Sequence, residues 1–148
     1  PHENRTVPPL RHDAVAELRQ ALASVPVIVN GGLRTCDEVV SALERFDGVM
    51  IGREAYHRPR LLGELQAALH PSDPPPPGPA EVLEAMREYA ARETAAGTPL
   101  HAITRHMLGL LSGRPGARAL RHTLSADVQR GGSVAEIFNR ATELAGSA

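Results

Sequence analysis

The sequence predicts a parallel α/β region over residues 1–70 and an all-α region over residues 80–148. Two short apolar runs, Val27–Val29 and Val49–Ile51, are rich in β-branched residues, and a helical pattern separates them. This order is typical of a βαβ unit. The proline-rich segment 71–79 cannot continue a helix, and only helical periodicity follows it. We therefore expect two domains joined by a semi-rigid linker.

The two predicted strands lack the polar alternation of a half-buried strand, so both of their faces are expected to be buried. A glycine follows each strand, and the loops that follow parallel strands lie at the same, carboxyl end of the sheet. A sheet of only two parallel strands would leave both of its edges open. Further strands are therefore expected from another chain or from sequence outside this one.

The helices are predicted from apolar residues at helical spacing. Thr35 suits the N-cap of the second helix and Glu38 completes its capping box, while Ser133 and Glu136 do the same for the last helix. The predicted helices of the first region cover 12–23, 35–46 and 59–69. Those of the second region cover 80–96, 100–111, 117–129 and the segment after Ser133.

Both glycine loops have the composition of an anion site. Asn30, Gly31 and Gly32 follow the first strand, and Gly52 and Arg53 follow the second. Glycine permits close approach of the backbone to a phosphate, N–H groups at a helix start attract anions, and arginine adds a charged fork. A Gly-Gly pair after a strand is also a common tight turn. The occurrence of two such loops favours a phosphate site over two simple turns.

The composition excludes several classes of protein. Aromatic residues make up 3% of the 148 residues and tryptophan is absent, so the core must be aliphatic. The single cysteine, Cys36, rules out an internal disulfide framework and fits a reducing compartment; we assign it a packing role. No apolar run is long enough for a membrane helix. A cytoplasmic protein without a metal site is expected, and a start at Pro1 suggests part of a longer chain.

Basic residues concentrate in the helical region. Between Gly97 and Arg130 there are five arginines and one acid, although the whole chain has a net charge of −1. Arg118, Arg121 and His122 fall on one face of a predicted helix. Such a face suits phosphate-backbone contact. A solvated helix surface explains the pattern equally well.

Several stretches resemble the tRNA-dihydrouridine synthases, specifically the A type: HENRTVPPL, VNGGL, DGVMIGREAYHRP and HAITRHMLGLLSGRPGAR. That family folds as an FMN-binding (β/α)8 TIM barrel followed by a helical domain that holds tRNA. The resemblance implies that residues 1–70 are the last two βα units of the barrel. It also implies that residues 80–148 are a C-terminal helical bundle that binds tRNA.

The resemblance further implies two sets of binding residues. The FMN phosphate would be held by Asn30, Gly31, Gly32, Gly52 and Arg53. The tRNA would be contacted by His2, Arg5, Arg118 and Arg121. The family motif has lysine at position 2, and the histidine found here is a weaker phosphate partner when it is neutral.

The implied activity is the reduction of uridine to dihydrouridine in the D-loop of tRNA, with NADPH recharging the flavin. The first six strands, the residues around the flavin ring and the catalytic cysteine would all precede Pro1. No catalytic residue is therefore assigned, and this chain alone is expected to be inactive. The full-length parent is expected to be a monomer that binds neither membranes nor DNA. The alternatives are a stand-alone helical tRNA-binding module and another FMN barrel oxidoreductase.

Overall fold

The computed structural model describes residues 10–22 and 24–147, which form two compact units divided after Glu54. The first unit contains α1 (His12–Ala21), β1 (Ile28–Asn30), α2 (Cys36–Leu43) and β2 (Gly48–Met50), and α3 (Arg53–His57) begins at its end. The second unit contains α4 (Arg60–Leu69), α5 (Pro79–Ala95), α6 (Leu100–Thr104), α7 (Ala117–His122), a π-helical turn (Thr123–Asp127) and α8 (Val134–Gly146).

The two strands pair in parallel, as predicted, with Val29 opposite Val49. Val29 is buried and Val49 partly buried, in a small core formed with α1, α2 and Phe46. The expectation that both faces are buried is wrong for the described residues. Ile28 and Met50 point to the other face and are each 54% exposed, because neither helix covers that face. β1 lies one residue later than predicted and β2 one residue earlier.

One carboxylate, that of Asp47, links α1 to the residues that directly precede the two strands of the first unit. Asp47 accepts two hydrogen bonds from Arg19 of α1, at 3.1 Å from Nε and 2.8 Å from Nη2. It also accepts one from the backbone N–H of Val27, at 2.9 Å. The Arg19 guanidinium and the Val27 N–H together lower the pKa of Asp47 from 3.8 to about 2. Asp47 therefore anchors α1 to the start of β1.

Asp47 should make the stability of the first unit depend on acid pH. Because its folded pKa is below its unfolded value, its contribution is complete above about pH 4 and is lost as the pH falls toward 2. Asp47→Asn should lower the melting temperature at pH 7, and its difference from wild type should vanish near pH 2. Thermal melts across this range check the prediction. Asp73→Asn, in the proline-rich segment, is the control and should follow wild type throughout.

The helices of the second unit share one aliphatic core. Helices α5 and α8 make its largest contact, with Leu83 and Phe138 fully buried. Leu111, Leu120 and Leu124 complete the buried centre. A Cβ on Gly63 of α4 would lie 3.1 Å from Pro76, so the proline-rich segment packs on α4. Helix α4 lies in the same compact unit as the later helices, and the predicted domain limits of 1–70, 71–79 and 80–148 stay a prediction.

Three local features differ from the predicted helices. The segment predicted as one helix over 100–111 is helical only over Leu100–Thr104 and continues as tight turns. The predicted helix over 117–129 contains the π-helical turn, and α3 begins at Arg53, after only Ile51 and Gly52, where a loop was expected. Both capping boxes are confirmed, at Thr35 with Glu38 and at Ser133 with Glu136. Within the described residues, no helix has both the length and the apolar character required to cross a membrane.

Candidate functional site

The first glycine loop is a tight turn supported by α1 and the residues before it. Gly31 and Gly32 have positive φ angles, of 106° and 75°. A Cβ on Gly32 would lie 2.5 Å from the Leu10 side chain. The ring Nε2–H of His12 donates to the Gly31 carbonyl at 3.0 Å. The fold itself therefore requires both glycines, as the tight-turn interpretation predicts.

The helix that follows this loop supplies its own anion. The Glu38 carboxylate accepts from the backbone N–H groups of Arg34 and Thr35 at 2.7 and 3.1 Å. These two hydrogen bonds lower the pKa of Glu38, so the group stays ionised. The expectation that the start of this helix attracts a phosphate is therefore weakened, because a carboxylate already lies there.

The second glycine loop has a different character. Gly52 is exposed, its φ is not positive, and a Cβ placed on it would meet no atom of the described residues within 4 Å. Arg53, the first residue of α3, is also exposed and makes no ion pair with any residue that the structure describes. The fold gives no reason for glycine at position 52. It leaves the Gly52 backbone accessible beside the charged side chain of Arg53.

Both loops leave the sheet at the same edge. Asn30 lies opposite Met50 in the parallel register, so Gly31 follows β1 directly and Gly52 follows β2 after one further residue, Ile51. Asn30, Gly52 and Arg53, three of the residues predicted to hold a phosphate, are exposed at this end of the sheet. The cysteine, Cys36, is the first residue of α2 and only partly buried. Among the described residues there is no cluster of side chains that could hold a metal ion.

The second unit carries a basic surface. Arg118 and Arg121 of α7 are exposed and pair with no described carboxylate. Arg118 and His122 line a groove together with Arg140 of α8. His2 and Arg5, the other residues assigned to tRNA, lie outside the described residues. The exposed face predicted for α7 is present, and its side chains are accessible to a polyanion.

Sequence reasoning missed two residues of this surface. Arg140 lies outside the basic segment between Gly97 and Arg130, and Asp127 was considered only as the one acidic residue of that segment. In the structure Asp127 contacts three basic groups, namely His122, Arg130 and Arg140. The spacing of Arg140 between the buried Ile137 and Ala141 places it at the edge of the core face of α8. That spacing was the only signal that pointed to Arg140.

Comparison with known proteins connects these features. The family model described as dihydrouridine synthase (Dus) matches residues 1–145. Curated proteins named tRNA-dihydrouridine(20/20a) synthase are 44% identical in Pseudomonas putida, 41% in Xanthomonas campestris and 38% in Escherichia coli K12. Each match covers 97% of this chain and 42–43% of the relative, so the chain spans less than half of their length. The resemblance to the A-type synthases is confirmed, and the chain belongs to the dihydrouridine synthase (Dus) family.

Proposed function

We propose that this chain forms the flavin-phosphate and tRNA-binding part of an FMN-dependent tRNA-dihydrouridine synthase. The proposal rests on the parallel strand pair, which places two glycine-containing loops and Arg53 at the carboxyl end of the sheet. In TIM barrels a phosphate site commonly lies between the loops after strands seven and eight. FMN bound there, recharged by NADPH, would supply the hydride that reduces a uridine.

The exposed face of the sheet supports a barrel origin for the first unit. Ile28, Asn30, Gly48 and Met50 share this face, and the Ile28 side chain lies directly over Gly48. Exposed apolar residues on a parallel strand are unusual, because parallel sheets are covered on both faces. In our proposal this face lines the interior of a (β/α)8 barrel whose last two βα units this chain provides.

Each of the five loop residues has a role in this proposal. Gly31 and Gly32 shape the first loop, and Asn30 directs a polar side chain toward the ligand from the end of β1. Gly52 lets a phosphate approach the backbone, and Arg53 donates charged hydrogen bonds to it. Leu10 and His12 stabilise the first loop from behind and are positioning residues.

The substrate proposal comes from the relatives and the basic surface. The relatives are named tRNA-dihydrouridine(20/20a) synthases, a name that specifies tRNA and positions 20 and 20a. Arg118 and Arg121 are exposed on one helix face, which suits contact with an RNA backbone; we assign His2 and Arg5 to the same partner. The whole synthase would reduce uridines of the D-loop. The 148-residue chain alone would be inactive, and dihydrouridine formation by the purified chain would contradict this.

Replacing Gly52 with alanine tests the flavin-phosphate site. The added methyl group meets no described atom, so the fold should tolerate it, while a phosphate at the open backbone should be excluded. We expect phosphorus NMR titrations to show FMN binding to the wild-type chain and at least about tenfold weaker binding to Gly52→Ala, a loss of one charge-assisted contact. Melting temperatures of the two proteins should agree.

Gly146→Ala is the matched control for this experiment. Gly146 ends α8, and a Cβ there also meets no atom within 4 Å. Its FMN affinity should equal that of wild type. Equal FMN affinity of wild type and Gly52→Ala, or no binding to the wild-type chain, would contradict the proposed phosphate site.

A further inference from the structure

The π-helical turn places a carboxylate where an α-helix would not. In an α-helix two residues five positions apart point about 140° away from each other. The wider π turn, with its i to i+5 hydrogen bonding, brings them to the same side. Accordingly His122, just before the turn, has its Nδ1 3.4 Å from Oδ1 of Asp127, the last residue of the turn.

Asp127 also pairs with two arginines, Arg130 three residues later and Arg140 on α8. Its Oδ1 lies 3.0 Å from Nη1 of Arg130, and its Oδ2 lies 3.6 Å from Nη1 of Arg140 on α8. The Asp127 side chain is only 19% exposed, whereas the three basic side chains are each more than half exposed. The Asp127 carboxylate is therefore more buried than the three basic side chains, whose other N–H groups stay accessible.

Two of these basic side chains, His122 and Arg140, line a groove on the surface of the second unit. Gly116, Arg118, Ala119, His122 and Arg140 line it, and no acidic residue does. The small residues at positions 116 and 119 leave room between the basic side chains. A groove with two guanidinium groups and an imidazole suits one phosphate of a nucleic-acid backbone.

We propose that Arg140 binds an RNA backbone phosphate in this groove and that Asp127 is the residue that positions it, together with His122, beside Arg118. The inference rests on the proposed tRNA binding and adds a contact on α8 and a positioning residue in the π-helical turn. Neither the contact of Arg140 nor the role of Asp127 follows from the basic segment between Gly97 and Arg130.

A negative charge can strengthen binding to a polyanion when it orders the cations that make the contacts. Ordering a long side chain on binding reduces affinity by about two- to thirteenfold. The repulsion between Asp127 and a phosphate opposes this ordering effect, and Arg130, which pairs with the same carboxylate, reduces the repulsion. Because Asp127 lies within ion-pair distance of both His122 and Arg140, we expect its ordering effect to exceed this repulsion. Loss of Asp127 should therefore weaken RNA binding, which is opposite in sign to a simple charge effect.

The test measures binding of an unmodified tRNA transcript to the 148-residue chain at several salt concentrations. Arg140→Ala should weaken binding about three- to tenfold and lower the slope of log K against log salt by about one contact. Asp127→Ala should weaken binding about two- to fivefold, and Asp127→Glu should recover part of the loss. Glu88→Ala, which removes an exposed acid from α5, is the charge-matched control and should bind equally well or more tightly.

The double variant Arg118→Ala, Arg121→Ala separates this inference from the proposed function. If it weakens binding while Arg140→Ala or Asp127→Ala binds at least as tightly as wild type, the positioning inference fails and the tRNA proposal stands. If the wild-type chain does not bind the transcript, or if the double variant binds it as tightly as wild type, both the positioning inference and the tRNA proposal fail. Circular dichroism melts check folding. Should Asp127→Ala unfold, Asp127→Asn, which keeps the size of the side chain and removes its charge, decides the positioning role.

Discussion

Replacing Phe138 with alanine should lower the free energy of unfolding of the second unit by about 3–5 kcal/mol. Phe138 is fully buried on α8, in the core that this helix shares with α5. Its removal loses the transfer free energy of a large side chain and leaves a cavity. The surrounding Leu83, Leu111 and Leu120, all at 0% exposure, cannot fill this cavity without moving their helices. Urea unfolding followed by circular dichroism measures the effect.

Tyr89→Ala is the control for this measurement. Tyr89 has the spacing of a core residue on α5, but it is 41% exposed. Its truncation should therefore cost less than about 1 kcal/mol, as is usual for surface positions. A loss at Tyr89 equal to that at Phe138 would contradict the arrangement of this core.

Replacing Gly109 with alanine should destabilise the same unit by about 1–3 kcal/mol, the usual cost of overpacking. A Cβ on Gly109 would lie 2.2 Å from the carbonyl oxygen of His57, a backbone atom that cannot rotate away. The same oxygen accepts a hydrogen bond from Ser112 Oγ at 3.1 Å. The added methyl group must therefore push α3 away from the turns after α6. Thermal unfolding of the purified variant measures this cost.

Two further variants show whether the close approach is responsible. Gly146→Ala adds the same methyl group where no atom lies within 4 Å, so it should be neutral or slightly stabilising. Ser112→Ala removes only the hydrogen bond and should cost about 0.5–1.5 kcal/mol. If Gly109→Ala melts at the wild-type temperature, the packing of His57 on Gly109 is wrong.

The features that the sequence predicted well depend on neighbouring residues. The capping boxes at Thr35 and Ser133 form because a side chain and a backbone N–H three residues apart meet whenever a helix starts there. The parallel pairing of the two strands follows from their apolar runs and the intervening helix. The exposure of Arg118 and Arg121 follows from helical periodicity.

The errors concern features that depend on distant contacts. A helical pattern continued past residue 104, but the chain there turns so that Gly109 packs against His57. An extra residue accommodated as a π turn looks like ordinary helix in the sequence, since its apolar residues still reach the core. Tyr89 has the spacing of a core residue, yet Leu83 and Ala90 of the same helix fill the contact with α8.

The sequence by itself determined the order of helices and strands, the caps, the two glycine loops at one edge and the family. These are properties of local backbone chemistry and hydrophobic period. Only the tertiary structure decided that Gly31 and Gly32 serve the turn while Gly52 is open, and that Asp127 joins His122 to Arg140. Both depend on which atoms packing brings together across the chain, and residue spacing does not specify those distances.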